Sequence, residues 1–277
     1  MISQSAMEYL MTYGWAILAI AIVMVSLYSL GIFNLGSLQP TATPGSCQVI
    51  RTAAQTSLAG QCNNLIPKYV GYFNGQNTEI TLKYPLPSVA SQVSVVAWVK
   101  KVTGTSGGIV RSRLPFGFGF EDGATCLRLF INSQWGLGQC SYNDNGAWHF
   151  VAGTYNGTTD TQYVDGISIG SESYTSTINA DGSSFVISEF PPSSGYIPFN
   201  GSIADLQVYN TSLPPDTVKA LYKEGIGGAP IDLQHLIGWW PLNGNANDYS
   251  GSNNQGTITG PIVWSASWQA GYSQPSS

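Results

Sequence analysis

The chain has 277 residues, of which only 9% are charged, and its formal net charge is −5. This composition excludes nucleic acid as a partner, because nucleic-acid binding requires a basic patch. About 230 residues follow the N-terminal apolar segment, which is enough for one large β domain with its own core.

The first feature along the chain is the uncharged apolar segment Leu10–Phe33, which follows a single acid, Glu8. Its roughly 24 residues could form a helix of about 36 Å, long enough to span a bilayer. No basic residue precedes Arg51, and the segment is longer than the apolar core of a secretory signal. The sequence therefore predicts a permanent transmembrane helix over residues 4–33. Glu8 either needs a partner within the apolar region or lies among the headgroups, where an acid suits a helix N-terminus.

Residues Gln4 to Phe33 resemble the class III signal and N-terminal helix of archaeal type IV pilin-like proteins, most specifically from Gln4 to Trp15. The resemblance implies that residues 1–3 are a leader, which a prepilin peptidase removes between Ser3 and Gln4. It also implies that Glu8 pairs with the freed amine of Gln4 in a neighbouring subunit. The expected partners are the membrane and other pilin-like subunits, and the expected location is the cell membrane with an extracellular C-terminal domain, or an extracellular filament.

Residues 34–69 are predicted to form a stalk and a disulfide-closed linker, because two prolines, a glycine and small polar residues at 38–46 can neither continue a helix nor pack a core. Four cysteines lie beyond the apolar segment, and an exported chain favours disulfides. Three pairings are open to four cysteines, and the alternatives are buried thiols or a zinc site, for which the C-x-x-C spacing is absent. The economical pairing joins neighbours, Cys47 with Cys62 and Cys126 with Cys140.

From Val70 onward the pattern is typical of strands separated by turns. Residues 91–100 carry apolar side chains on both faces, which predicts a strand inside a sandwich. Asp165-Gly166 stands between apolar residues and predicts a tight hairpin. Residues 203–209 alternate apolar residues with polar ones, which predicts a strand with one face in solvent. One short helix is predicted next, capped by Ser212 and ended by Gly225, at an edge or end of the sandwich.

These segments carry a second resemblance. Residues 147–155 with 163–166, and residues 199–210 continuing to 222, are similar to the central and closing strands of laminin G-like, concanavalin A-like jelly rolls. The resemblance implies a mainly β antiparallel sandwich over residues 70–265 and the binding of a glycan or a surface protein. Residues 238–251 resemble the opening strand of the same fold, so they are predicted to fold back as a permuted strand; the alternatives are that they pair with a neighbouring head or are disordered. A flexible tail is predicted for residues 266–277.

Catalysis is not predicted. Some relatives of this fold are glycoside hydrolases, which need two carboxylates about 5–10 Å apart. Glu121 and Asp122 are adjacent and would point to opposite faces of a strand, whereas Glu189 and Asp205 are isolated. Of the two histidines, His149 is expected to pack within its strand, and the other, His235, to lie in a loop or at a strand edge.

Three groups of residues are candidates for other chemistry. Oxygen-bearing residues could bind Ca²⁺, which prefers hard oxygen ligands, although Asn-Gly and Asp-Gly sequences are also turn formers. Aromatic residues could stack on sugar rings or belong to the core, and three N-x-S/T sequences could be glycosylated or be plain turns. The calcium candidates are Asp165, Asp205, Asn243, Asn245 and Asp248; the aromatic candidates are Tyr72, Phe73, Trp135 and Tyr142; the glycosylation candidates are Asn156, Asn200 and Asn210.

The sequence therefore predicts an archaeal cell-surface, pilin-like structural or adhesive protein that displays a lectin-like head. The first alternative is a lectin-like protein held singly in the membrane, which does not polymerise. The second alternative is a glycosidase.

Overall fold

The computed structural model describes residues 3–29, 41–63, 65–83, 89–112, 116–121, 125–132, 134–135, 140–179, 184–188 and 198–276. The chain divides into two compact units, Met1–Pro40 and Thr41–Ser277. We call the second unit the head.

The first unit contains helix α1 (Ser3–Ser29). Its sequence is rich in Ala, Leu, Ile and Met and contains no Pro, which favours a helix. Side chains are described for residues 13–26, and all of them are exposed, for example Trp15 and Ile17.

No helix in the described part of the chain is both long enough and apolar enough to cross a membrane. The transmembrane helix predicted for residues 4–33 is therefore not found, and residues 30–33 lie outside the described residues. The backbone of Ser3, Gln4 and Glu8 belongs to α1. The cleavage and assembly roles of these three residues stay predictions.

The head is mainly β, with one helix, α2 (Pro215–Glu224), among its described residues. Its strands, in chain order, are β1 (Thr41–Ala42), β2 (Cys47–Arg51), β3 (Thr56–Gly60), β4 (Ile66–Pro67), β5 (Val70–Asn74), β6 (Glu79–Leu82), β7 (Val89–Ala90), β8 (Val93–Lys101), β9 (Gly107–Ser112), β10 (Phe116–Glu121), β11 (Cys126–Ile131), β12 (Gln134–Trp135), β13 (His149–Tyr155), β14 (Thr159–Val164), β15 (Ile167–Ser173), β16 (Ile178–Asn179), β17 (Phe185–Ile187), β18 (Asn200–Tyr209), β19 (Leu236–Trp240), β20 (Gly256–Thr259) and β21 (Val263–Ser265).

Two antiparallel sheets form a sandwich, as predicted. The seven-stranded sheet has the order β12-β11-β10-β9-β17-β6-β20, and the eight-stranded sheet has the order β15-β14-β13-β8-β18-β5-β21, with β19 also paired to β18. Strands from both sheets contribute to an inner core, which is apolar and fully buried. Strand β8 carries apolar residues on both faces because each face packs in a core. Val95 and Val99 belong to the inner core, whereas Val96 and Trp98 belong to a second cluster.

The second cluster, which we call the outer core, lies on the other face of the eight-stranded sheet. Helix α2 contributes Val218 and Leu221 to it, and Tyr222 stacks on Trp98 with ring centroids 5.8 Å apart. The helix therefore covers a sheet face and does not plug an edge. Gly225 ends α2 with a φ of 79°, as predicted, but the N-cap position is Pro214 and makes no side-chain cap.

The segment after α2 returns to the same sandwich. β19 pairs with β18, β20 pairs with β6 and β21 pairs with β5, all antiparallel. Residues 238–251, which resemble an opening strand, thus lie beside strands of their own head.

The segments predicted as a linker and as a tail also pack on the head. Val49 of the β2–β3 hairpin and Trp268 near the C-terminus are both buried in the outer core. The Trp268 indole N–H donates to the Pro67 carbonyl over 3.0 Å. The structure begins the head at Thr41, earlier than the predicted residue 70, because this outer layer covers a sheet face that sequence alone leaves open.

The two predicted disulfides are confirmed. Cys47 is bonded to Cys62 across the β2–β3 hairpin, and Cys126 is bonded to Cys140.

Candidate functional site

Asp205, in the middle of β18, is a buried acid with an unusual backbone conformation. Asp205 is only 4% exposed. Its φ of 51° lies in the left-handed region. The register between β18 and β8 shifts between Ala204 and Gln207, which is a β-bulge. The strand predicted to have one face in solvent is therefore buried on both faces, because β18 lies between two cores. Non-glycine residues at positive φ cost about 1–3 kcal/mol and concentrate at functional sites.

Two neighbours bind the Asp205 carboxylate. The Trp239 indole N–H donates to Oδ1 over 2.7 Å, and the Gln207 amide N–H₂ reaches both oxygens, at 3.1 and 3.0 Å. Gln207 Oε1 in turn accepts from the Tyr209 hydroxyl. Burial raises the pKa of Asp205 to about 7, and the hydrogen bonds from Gln207 and Trp239 lower it only in part. A carboxyl whose pKa is raised by burial is a functional-site candidate.

Asp205 is one of the residues that line a small, partly open pocket with a cavity volume of about 30 Å³. We call it the Asp205 pocket. Its wall combines one acid with two aromatic rings, several glycines and prolines, and the segment that leads into β2. The described lining residues are Ala42, Thr43, Pro44, Gly45, Ser46, Cys47, Leu65, Pro67, Asp205, Ile226, Gly227, Gly228, Trp239, Pro241, Asn243 and Tyr249.

Hydrogen bonds hold the wall in place. Asn243 Oδ1 accepts from the Tyr69 backbone N–H over 2.9 Å, and its Nδ2 donates to the Ala42 carbonyl over 2.8 Å.

Gly45 has a φ of 79°, and a Cβ there would lie 3.3 Å from the Tyr249 ring. Only a glycine lets the wall approach this ring without strain.

The other predicted calcium residues are engaged in structural contacts. Asp248 accepts from the backbone N–H of Trp239, Ser250 and Asn254 at 2.7–3.1 Å. Asn245 Oδ1 accepts from the backbone N–H of Asn247 in a turn.

The structure brings together only part of the calcium set. Asp205 and Asn243 line one pocket, and Asp248 holds the backbone of Trp239 beside it. Asp165 lies elsewhere, at the β14–β15 turn. Within the residues that the structure describes, no three acidic, histidine or cysteine side chains converge as metal ligands. Ca²⁺ usually takes 6–8 oxygen ligands, so the described geometry does not favour it here.

The Asp165-Gly166 hairpin is confirmed, and it forms a second polar group. Both residues have positive φ, 51° and 74°, as the predicted tight turn requires. Asp165 Oδ2 lies 2.8 Å from His149 Nδ1, and Oδ1 accepts from the Phe150 backbone N–H over 3.0 Å. His149 is thus buried within its strand, as predicted. The other histidine, His235, is exposed in the loop before β19, 2.8 Å from Asp232.

A second Asp-x-Gln pair provides an internal reference for Asp205. Asp160 on β14 is fully buried, and Gln162 two residues later donates to its Oδ2 over 2.8 Å. Burial raises the pKa of Asp160 to about 6. Asp160 does not line the Asp205 pocket. The head therefore contains one Asp-x-Gln pair at the pocket and one away from it.

The aromatic candidates are mostly core residues. Phe73 and Tyr142 are buried and belong to the inner core, and Tyr72 is half-buried. The side chain of Trp135 lies outside the described residues.

The candidate glycosylation residues differ in exposure. Asn156 and Asn210 are exposed, and Asn200 is half-buried. Asn156 also forms a turn in which its Oδ1 accepts from the Thr158 and Thr159 backbone N–H groups. Modification at these positions stays a prediction.

The acids considered for catalysis are not assembled in the described residues. Glu121 is described only as the last residue of β10, and Asp122 and Glu189 lie outside the described residues. Asp205 is the single acid among the described residues that line its pocket.

Sequence reasoning missed Trp239, Tyr249 and the wall segment 42–47 as site residues. The strand at residues 203–209 was predicted to have one face in solvent, so no segment was expected to cover Asp205. The contact that builds the wall joins Asn243 to Ala42, which are 201 positions apart.

The fold and the pocket together define a jelly-roll sandwich with an added outer layer and a concave site. Residues 74–219 match the family model described as the concanavalin A-like lectin/glucanases superfamily. The chain belongs to this superfamily.

Two solved structures share the fold. A Bacteroides ovatus protein described as a candidate carbohydrate-binding protein aligns with a TM-score of 0.60 at 18% identity, over 78% of this chain and 65% of its own length. A native heptameric SAP-like pentraxin from Limulus polyphemus aligns with a TM-score of 0.51 at 16% identity, over 71% of this chain and 93% of its own. The chain thus spans less than two thirds of the Bacteroides protein. No curated protein matches the chain.

Proposed function

We propose that the head is a lectin-like binding module and that a carbohydrate binds in the Asp205 pocket. The observation that carries this proposal is a buried carboxylate, held in a left-handed bulge and open to a pocket that Trp239 and Tyr249 also line. The name of the Bacteroides ovatus neighbour supports a carbohydrate as the ligand.

The chemistry of the pocket suits a sugar. A carboxylate accepts hydrogen bonds and has no donor of its own, so it pairs with a ligand group that carries hydrogens on oxygen or nitrogen. Aromatic rings bury large apolar areas with defined geometry, which matches the C–H face of a sugar ring.

We propose binding without cleavage. Glycoside hydrolysis needs a second carboxylate on the other side of the scissile bond, and the described pocket lining supplies Asp205 alone.

The test is a glycan array probed with the full chain, followed by calorimetry with the best ligand. The Asp205→Asn variant should bind at least tenfold more weakly, because the amide keeps the shape and removes the charge. Asp160→Asn is the matched control, since it changes the same Asp-x-Gln motif outside the pocket. Equal affinity of both variants and the unaltered chain would place the ligand elsewhere.

We also propose that α1 packs against the same helix of other copies, in a pilin-like filament at the cell surface. The supporting observation is that the described side chains of residues 13–26 are exposed although most are apolar. Such a surface is stabilised by burial against another apolar surface. In this proposal the leader is cut before Gln4, and Glu8 pairs with the new N-terminal amine of a neighbour.

Mass spectrometry of a sheared cell-surface fraction tests the assembly. A chain that begins at Gln4 and is found in filaments would support it. An intact N-terminus at Met1 in a chain found only in membranes would instead indicate a singly tethered binding protein.

A further inference from the structure

Asp205 has no partner of opposite charge within the described head. The described ion pairs involve Lys101, His149 and His235, and none of them includes Asp205. Its hydrogen-bond partners, Trp239 and Gln207, are neutral donors. A buried charge without a partner of opposite charge is costly, and a cation that reaches it recovers part of that cost.

Two other polar side chains of the pocket are already hydrogen-bonded within the head. Both ends of the Asn243 amide are already bonded to backbone groups of Tyr69 and Ala42. The Tyr249 hydroxyl accepts from Asn245 Nδ2 over 3.0 Å. Apart from the hydroxyls of Thr43 and Ser46, the remaining wall is glycine, proline and apolar residues. The wall thus provides a carboxylate and aromatic rings, which are both partners of a positively charged donor.

Two further features make the pocket attractive to a cation. Ile226, Gly227 and Gly228 of the wall follow directly on the C-terminal end of α2, and helix C-termini carry a partial negative charge. Tyr249 and Trp239 are in edge contact, with ring centroids 6.4 Å apart, and aromatic rings attract cations.

From these contacts we infer that the Asp205 pocket binds a primary ammonium group, and that the carbohydrate ligand is an amino sugar with a free amine. This inference rests on the proposed carbohydrate-binding function and names its ligand class. The ammonium donates to the Asp205 carboxylate and contacts the aromatic wall.

Calorimetry with the full chain tests this inference. The probes are glucosamine, galactosamine and mannosamine, each compared with its parent hexose and its N-acetyl form, so that only the nitrogen changes. At least one free amine should bind tenfold or more tightly than both of its partners. Asp205→Asn should abolish that difference, and Asp160→Asn should preserve it.

The other outcomes separate the two proposals. If parent or N-acetyl sugars bind as tightly as the amines, the lectin function stands and the ammonium inference is wrong. If Nα-acetyl-lysine amide binds tightly while all sugars fail, the cation belongs to a protein and both carbohydrate proposals are wrong. If none of the probes binds and a glycan array is also blank, both proposals are wrong again.

Discussion

The two cores of the head have different origins. The inner core is built largely by strands within residues 74–219, the part that matches the family. The outer core is closed by the β2–β3 hairpin, helix α2 and the C-terminal segment, on one face of a single sheet. Of the described residues that line the Asp205 pocket, only Asp205 comes from residues 74–219. The family part thus provides the sandwich, whereas the additions at both ends build the site.

The two cores also differ in the buried polar groups beside them. Beside the inner core, the buried Lys101 pairs with Asp144 over 2.8 Å, and its ammonium lies 5.5 Å from the centroid of the Phe120 ring. The outer layer adjoins a chain of polar groups, Trp239, Asp205, Gln207 and Tyr209, that are hydrogen-bonded in series. A polar chain of this kind needs every partner in place. It therefore couples the outer layer to the site more closely than apolar packing alone would do.

The largest expected effect is in the inner core. Trp240 is fully buried there, and Trp240→Ala should lower the free energy of unfolding by about 3–5 kcal/mol. Trp268→Ala, in the outer core, should cost less, because Trp268 lies outside the strands and its segment can open locally. Urea unfolding of both variants measures the contrast. A larger loss for Trp268→Ala would mean that the outer layer is the more stable part.

The two disulfides should give similar stability losses and different binding losses. In the chain-entropy model a loop of about 15 residues contributes about 3 kcal/mol, and the two sequence separations are 15 and 14. Replacing Cys47 and Cys62 by Ala should also weaken ligand binding, because Cys47 lines the pocket. Replacing Cys126 and Cys140 should leave the affinity unchanged. Denaturation and calorimetry on both double variants check this, and an equal loss of affinity would contradict it.

A glycine pair tests how tightly the outer layer is packed. A Cβ at Gly227 would lie 2.0 Å from the Leu65 carbonyl oxygen, whereas a Cβ at Gly108 would meet nothing within 4 Å. Gly227→Ala should therefore cost about 1–3 kcal/mol, as overpacking does. Gly108→Ala should be neutral or stabilise by up to about 1 kcal/mol. Thermal unfolding distinguishes them, and similar melting temperatures would show that the outer layer yields easily.

The pH dependence of stability should reveal Asp205. Burial raises its pKa from 3.8 to about 7, so between these values the folded head holds a proton that the unfolded chain releases. Stability is then greatest below the unfolded pKa and falls as pH rises toward 7, by up to about 1.4 kcal/mol per pH unit. Asp205→Asn should flatten this slope between about pH 4 and 7. Urea unfolding at stepped pH measures it, with Asp160→Asn as the comparison, since the pKa of Asp160 is raised only to about 6.

The smallest effect should come from the N-terminal unit. Met1–Pro40 and the head are separate compact units, so deletion of residues 1–40 should change the head's free energy of unfolding by no more than about 0.5 kcal/mol. The same deletion should abolish any filament. Unfolding of the shortened chain beside the full chain checks the first point, and a loss of several kcal/mol would show that the head depends on that unit.

Local pattern was sufficient for much of the fold. Alternating apolar residues located β8, the Asp165-Gly166 dipeptide located a hairpin, and short spacings identified both disulfides. These features depend on neighbours in sequence, so the sequence carries them directly.

The site depends on distant contacts, and local pattern misread it. Asp205 and Gln207 alternate with apolar residues, which normally indicates one solvent face. That face is instead covered by α2 and by segments from both ends of the head, so the polar residues are buried. The alternation of polar and apolar residues shows which side chains share a face of a strand. It does not show whether solvent or another segment covers that face. The wall of the pocket likewise depends on Asn243 reaching Ala42, which no local motif encodes.

The late position of β20 and β21 in the sequence determines when β5 and β6 can pair with them during synthesis. A chain is synthesised from its N-terminus, and long-range strand pairing is slow. β5 and β6 are complete early, but one neighbour of each, β21 and β20, comes from Val263–Ser265 and Gly256–Thr259. A nascent head therefore keeps two strand edges open until almost its last residues emerge. A chain that stops before β19 would leave one edge of β5 and one edge of β6 unpaired, together with the sheet face that the C-terminal segment covers, so it should aggregate more readily than the full chain.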